Sequence, residues 1–346
     1  MIDLREYASA ASGMSAWRIR YVTGGRDGVA EQEATGMVLA PLDQMGGPPR
    51  GVVAWTHGTW GVASKCAPSQ SEDFFDLTPA IDAVRMGYVV VAPDYPGLGT
   101  DSAHPYLIGQ PAAQSVLDIV RAARSQPELR SGSQFVVWGE SQGGHAALWT
   151  GMIAASAPDL ELLGVAAGAP PTDLAANLRE ASDDNARTFL TALTSDSWSR
   201  YFGFDLDIGK RRSPAIVRKL ASNCISLSST PRLGALIGML ALRSDLKNFD
   251  MAATAPWSKL VRDNSAAPTF TAPLLIAQTE EDPLVAPAVT RRFALKACDR
   301  GLPVRWVSLP GKDHATTARQ SEIETLQWID DRFAGHAAPS DYGQLR

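Results

Sequence analysis

No run of apolar residues in the 346-residue chain approaches the roughly 18–20 that a helix needs to cross a bilayer, so stable membrane insertion is not expected. Cysteine is scarce: Cys66, Cys224 and Cys298 lie far apart, with no CxxC pair and no HExxH motif elsewhere, so zinc chemistry finds no support. Positive charge is in the minority, with 32 Lys and Arg against 37 Asp and Glu and a formal net charge of -5. Nucleic-acid binders ordinarily show the opposite balance or a basic stripe, so that partner class is set aside. The nearest approach to a basic run, Lys210-Arg211-Arg212, is short and reads as a solvated turn. What remains is 45% hydrophobic and 20% charged residues, enough to bury a core and too apolar for a disordered chain. The opening Met1-Ile2-Asp3-Leu4-Arg5-Glu6 carries charge where a signal peptide has its apolar stretch. A cytoplasmic location is therefore expected if Met1 is the native start, and a secreted one if a leader has been removed.

Two alternating stretches, Trp17–Val22 and Thr35–Ala40, read as the strands of an antiparallel hairpin. Six short apolar runs follow: Val52–Trp55, Tyr88–Ala92, Phe135–Trp138, Leu163–Ala167, Leu274–Ala277 and Val304–Val307. Runs of that length suit strands buried on both faces of a parallel sheet. Helical patterns lie between them at Phe74–Met86 (ended by Gly87), Ala112–Arg124 and Gln142–Ala155, and a last one runs over Ser321–Phe333. The alternation predicts an α/β fold with a mostly parallel central sheet flanked by helices. Residues 170–270 break the rhythm. They are helical in pattern, interrupted by Pro214, Pro231 and Pro256, and rich in large apolar residues: Phe189, Leu190, Trp198, Tyr201, Phe202, Phe204, Leu236, Ile237, Met239, Leu240 and Trp257. This segment reads as an inserted helical cap or lid, with 1–169 and 271–346 forming the core; a separate small domain beside the sheet is the alternative. The aromatics suggest an apolar pocket, with Trp60, Trp198 and Phe202 as candidate substrate-binding residues.

Gly139-Glu140-Ser141-Gln142-Gly143 fits the pattern G-x-S-x-G. It directly follows the strand pattern ending at Trp138 and precedes a helical one, which is the setting of a nucleophile elbow. There the flanking glycines let strand and helix approach closely, and the serine hydroxyl stands above the sheet edge. A serine needs a neighbouring base, and on this kind of sheet the chain order is Ser, acid, His. That order passes over His57, His104 and His145. His314, in the loop after the last strand pattern, is the favoured base, and His336 in a C-terminal tail is the other candidate. The orienting carboxylate is sought in Gln278-Thr279-Glu280-Glu281-Asp282-Pro283. Asp282 is preferred because Pro283 forces it into extended or turn geometry, with Glu280 and Glu281 as alternatives. Asp313 suits a turn role. The oxyanion of a tetrahedral intermediate needs two donors. The Gln142 N–H at a helix N-terminus supplies one, and the loop Thr56-His57-Gly58-Thr59-Trp60-Gly61 the other, from Thr59 or else Trp60. His57 reads as a structural histidine of that loop, and Asp94 as an acceptor for backbone amides.

Taken together, these motifs, with Cys66-Ala67-Pro68-Ser69 and Asp94-Tyr95-Pro96-Gly97-Leu98-Gly99, resemble the α/β-hydrolase superfamily. More narrowly the chain is similar to the secretory lipase (lipase-A-like) branch and its bacterial esterase relatives. The resemblance implies an α/β-hydrolase fold with a lid between strands six and seven, and hydrolysis of a small-molecule carboxylic ester. It assigns the nucleophile to Ser141, the acid to Asp282, the base to His314 and the oxyanion donors to Thr59 and Gln142, with no metal or cofactor. It also implies a Cys66–Cys224 bridge. Thioesterase, peptidase or acyltransferase chemistry could run on the same residues, because specificity lives in the cap. A catalytically idle binding protein of this fold is the alternative from another class.

Overall fold

The computed structural model describes residues 3–7, 13–25, 31–42, 47–225 and 233–346. Its strands are β1 (Asp3–Glu6), β2 (Met14–Gly24), β3 (Glu31–Pro41), β4 (Arg50–Thr56), β5 (Val89–Pro93), β6 (Ser131–Glu140), β7 (Glu161–Gly168), β8 (Leu274–Thr279) and β9 (Val304–Leu309). They form one sheet in the order β1-β2-β3-β5-β4-β6-β7-β8-β9. The first three strands and the β3–β5 junction are antiparallel, and every pairing from β5 through β9 is parallel. This is the α/β-hydrolase arrangement that the apolar runs pointed to. The edge strand β1 escaped the sequence pattern because its four residues, Asp3-Leu4-Arg5-Glu6, offer a single apolar side chain.

Helices are α1 (Asp82–Arg85), α2 (Gly109–Arg124), α3 (Gln142–Ile153), α4 (Leu174–Glu180), α5 (Asp184–Phe202), α6 (Ser213–Ala221), α7 (Leu233–Asp245), α8 (Trp257–Asp263), α9 (Pro287–Asp299), α10 (Thr317–Gln320), α11 (Glu322–Phe333) and α12 (Tyr342–Leu345). The pleat of the strands divides the core in two. Val52, Ala54, Val137, Val165 and Ile276 pack against α2, α3 and α9. Their neighbours Val53, Trp55, Val136, Ala166 and Leu275 pack on the opposite face against α1 and α11. Burial of both faces is why these strands read as unbroken apolar runs.

The helix expected over Phe74–Met86 is instead two 3-10 turns, Glu72–Phe74 and Pro79–Ile81, followed by the short α1. Pro79 forces Thr78 into an extended conformation (φ -114°, ψ 91°), which ends any helix arriving from Phe74. Gly87 does stop the segment, at φ +100°.

Between β7 and β8 the chain runs through α4 to α8, which have a core of their own centred on Trp198, Val217, Leu242 and Trp257. The extra edge strand raises the strand count by one, so strands six and seven of the family pattern are β7 and β8 here. Pro214 does not interrupt a helix but lies in the first turn of α6, where its missing N–H costs nothing, and Pro256 immediately precedes α8. Pro231 lies outside the described residues, as do the side chains of Leu236 and Ile237. The basic run is more than a solvated turn: Lys210 and Arg212 pair with Asp245 at 3.2 and 2.8 Å, clasping α6 to α7. A disulfide joins Cys66 to Cys224 and so ties the core to this helical segment, while Cys298 stays a buried thiol. Among the described residues no helix is long and apolar enough to cross a membrane.

Ile276 is fully buried in the middle of β8. Ile276→Ala is expected to cost about 2–5 kcal/mol of stability through the cavity it leaves. The measurement is a urea unfolding curve, in which the midpoint falls while the slope stays unchanged.

Candidate active site

Backbones approach very closely around the turn from β6 into α3. A Cβ on Gly139 would lie 1.9 Å from Thr56 Oγ1, and one on Gly143 would lie 1.8 Å from Thr56 O. Only glycine lets β4, β6 and α3 meet there. Between them Ser141 adopts φ 54°, ψ -118°, a strained conformation for a residue with a side chain. Its backbone N–H donates to Gly168 O on β7 at 2.8 Å, and its carbonyl accepts from His145 N at 3.0 Å. Strand and helix therefore hold the residue from both sides.

The loops after β8 and β9 bring two further residues to this turn. His314 Nε2 lies 2.8 Å from Ser141 Oγ, across 173 positions of sequence. On its other side His314 Nδ1 lies 2.7 Å from Asp282 Oδ2. A carboxylate can only accept, so Nδ1 carries the hydrogen and Nε2 presents its lone pair to the serine hydroxyl. Asp282 is itself fixed: Oδ1 accepts from the backbone N–H groups of Leu284 and Val285, and Oδ2 from Gln278 Nε2. Burial opposes the charged imidazolium of His314, yet the bonded and nearby Asp282 carboxylate holds its pKa above the ordinary histidine value.

The competing candidates lie elsewhere. Glu280 and Glu281 are exposed, the first bonded by Ser308 and the second paired with Lys312. His336 is exposed and bonds Asp331. Asp313 caps the turn of its own loop through Ala315 N and Thr316 Oγ1.

A cavity of about 310 Å³ opens over Ser141 and His314. Its walls include Gly58, Thr59, Trp60 and Gln142 on the core side and Leu178, Phe189, Leu190 and Trp198 on the side of the helical segment. Phe202 is not on these walls, contrary to expectation. Leu190, Thr194 and Trp198 share one face of α5 at four-residue spacing; Phe202 lies one turn further, where Gly203 reverses the chain and Phe204 stacks back on it at 6.3 Å. It belongs to the core of the helical segment.

Three histidines near the turn are buried and serve structure. Burial lowers His57 to about 4, with Nδ1 2.6 Å from Gly58 O and its ring against Tyr95. It lowers His145 to about 4, with Nε2 on Asn264 O, and His104 to about 3. Asp94 accepts from Ser69 N at 2.8 Å and also from the Ser69 and Thr35 hydroxyls, which fastens the loop after β5.

Glu140, inside the serine motif, was overlooked at the level of sequence. Its carboxylate lies at the cavity wall and accepts from Ala318 N at 2.9 Å, linking the end of β6 to α10 just beyond His314. The signal was available, since an acidic residue at the x preceding the serine must sit at the buried end of the strand. Burial pushes its pKa up to about 7 against the attraction of His314.

The matching family model is "Secretory lipase", over residues 69–341. Lipase 6 of Candida albicans is 24% identical over 321 residues, covering 82% of this chain; the chain spans 66% of that relative's length. A Mycobacterium tuberculosis protein named as a probable inactive lipase is 24% identical over 344 residues, covering 93% of this chain and 74% of its own. The crystal structure of Candida antarctica lipase A superposes with a TM-score of 0.78 at 16% identity, covering 99% of this chain and 83% of that one.

The raised pKa of Glu140 has a sign for stability. The folded protein keeps a proton that the unfolded chain releases near 4.5, so the group's contribution becomes less favourable as pH rises from about 4.5 to about 7. Glu140→Gln, which keeps a carbonyl for Ala318, is therefore expected to raise the urea midpoint at pH 8, with the gain fading towards pH 4.5. A gain that is the same at both pH values would contradict the assignment.

With the elbow turn, the nine-stranded sheet and a family match running from Ser69 to Asp341 all in agreement, this chain belongs to the secretory lipase family.

Proposed function

We propose that the protein is a serine hydrolase of carboxylic esters. The observation that carries this is the unbroken hydrogen-bonded series from Ser141 Oγ through His314 to Asp282 at the floor of an apolar cavity. Ser141 attacks the ester carbonyl while His314 Nε2 takes the hydroxyl proton. The C–O bond to the alcohol breaks as His314 returns that proton to the leaving oxygen. Water then attacks the acyl-enzyme by the same route, releasing the acid and restoring Ser141. Asp282 holds the imidazole tautomer and balances the transient imidazolium. The backbone amides of Gln142, at the N-terminus of α3, and of Thr59 hold the developing oxyanion, with Trp60 as the alternative to Thr59.

Residues 170–270 act as the cap that shapes the substrate pocket, with Trp60 and Trp198 in contact with substrate. A cavity near 310 Å³ is at the lower end of ligand pockets, which favours esters of short to medium acyl chains. The relative named as probably inactive raises an idle hydrolase-fold protein as a second reading. Bonding distances at both nitrogens of His314 argue against it here.

A fluorophosphonate probe is expected to label Ser141 in the wild type and to leave Ser141→Ala unlabelled. On p-nitrophenyl butyrate, Ser141→Ala and Asp282→Asn should each lower kcat by about 10³-fold or more, while Glu281→Gln stays near wild type. An unlabelled wild type would favour the idle reading. Across p-nitrophenyl esters, kcat/KM is expected to peak between butyrate and octanoate and to fall for palmitate; a maximum at palmitate would reverse the chain-length assignment.

A further inference from the structure

The loop between β5 and α2 carries three residues, His104-Pro105-Tyr106, that lie beneath the cavity and bond to both sides of it. His104 Nδ1 lies 2.9 Å from Pro96 O. A carbonyl only accepts, so Nδ1 bears the hydrogen and Nε2 presents a lone pair. Gln142 Nε2 lies 3.1 Å from that lone pair and donates to it. Burial keeps His104 neutral, with its pKa near 3, so the acceptor persists across the whole neutral range. Two residues on, the Tyr106 hydroxyl bonds Thr59 Oγ1 at 2.9 Å. One short segment thus grips the side chains of Gln142 and Thr59, the two residues whose backbone amides are proposed to hold the oxyanion.

The same segment is gripped from above by α5. Ser197 Oγ accepts from Tyr106 N at 2.9 Å and donates to His104 O at 2.6 Å, and Trp198 Nε1 donates to Tyr106 O at 2.7 Å. His104, Tyr106, Ser197 and Trp198 are all buried. From below, Gly97 at φ +82° seats the loop so closely that a Cβ there would meet His104 N at 2.3 Å. The face of α5 that carries Trp198 also supplies Leu190 and Thr194 to the cavity wall.

We infer that His104-Pro105-Tyr106 is a positioning strap that sets the two oxyanion amides and makes their placement depend on cap helix α5. The inference rests on the hydrolase reading and goes beyond it, because neither His104 nor Tyr106 touches the reacting atoms. Donors aimed at the transition state act chiefly on kcat, whereas a residue that only shapes the ground-state pocket acts on KM. Loss of a whole oxyanion donor costs about 10²–10³-fold, so loss of its support should cost about tenfold.

The experiment measures kcat and KM for p-nitrophenyl butyrate in Tyr106→Phe, Thr59→Val, their double variant, Thr59→Ser and Ser197→Ala, with thermal melts as a check on folding. Tyr106→Phe and Thr59→Val remove opposite ends of one hydrogen bond and leave every backbone amide in place. Each is expected to lower kcat about tenfold with KM within about twofold, and the double variant should be no worse than either alone. Thr59→Ser, which keeps the hydroxyl, should retain most of the rate, and Ser197→Ala should lower kcat in the same sense from the cap side. Unchanged kcat in Tyr106→Phe and Thr59→Val, additive losses, or a change confined to KM would overturn the strap. A wild type inert to both ester and fluorophosphonate would instead remove the hydrolase reading, and the strap with it. An active wild type with a dead Ser141→Ala and a fully active Tyr106→Phe would sink the strap alone.

Discussion

Everything at the centre of this molecule depends on one crowded turn. Ser141 can stand at φ 54° only because β4, β6 and α3 close around it without a side chain at 139 or 143. A backbone conformation of that kind costs on the order of 1–3 kcal/mol and persists only when its surroundings over-determine it. Here the surroundings are the parallel ladder itself. Ser141 N bonds a carbonyl at the end of β7, and Thr56 at the end of β4 bonds Gly143 O at the start of α3. The strain is thus carried by the sheet edge where the loops after β8 and β9 deliver Asp282 and His314.

A second constraint is electrostatic. Several ionisable groups lie under the turn, yet burial keeps the histidines at 57, 104 and 145 neutral. A neutral imidazole is a donor on one nitrogen and an acceptor on the other: His57 donates from Nδ1 to Gly58 O, His145 from Nε2 to Asn264 O, and His104 both donates to Pro96 O and accepts from the Gln142 amide. His314 differs because its partner is a carboxylate, and the charged form becomes accessible to it. The same residue type therefore serves structure at three positions and, in the proposed mechanism, proton transfer at the fourth, and the carboxylate on Nδ1 makes the difference.

The helical segment between β7 and β8 joins this edge through more than the apolar cavity wall. A disulfide links Cys224 to Cys66, and Ile225 N donates to Trp60 O at 2.9 Å. Core loops and α5 also share the buried polar contacts around Tyr106. Its own core, built on Trp198 and Trp257, lets it pack as a unit over the site. Phe202 belongs to that core because a four-residue step drifts about 40° around a helix, so the last residue of α5 no longer faces the cavity that Leu190 lines.

Local chemistry makes a large part of this legible in the sequence alone. Apolar runs marked six of the nine described strands and two alternating stretches marked the hairpin, G-x-S-x-G marked the turn, and Asp-Pro at 282–283 marked a turn suited to a carboxylate, because each is a short-range requirement written in adjacent residues. The strand β1 and the broken helix at 72–85 were missed where four residues carry too little pattern, or where a proline outweighs periodicity. What belonged to the sequence alone was the set of chemical groups and the order of elements that present them. Which carboxylate faces His314, that Glu140 reaches α10, and that His104 grips Gln142 were decided only by tertiary structure, since those distances close between residues 32, 178 and 38 positions apart and depend on how loops pack at a common edge.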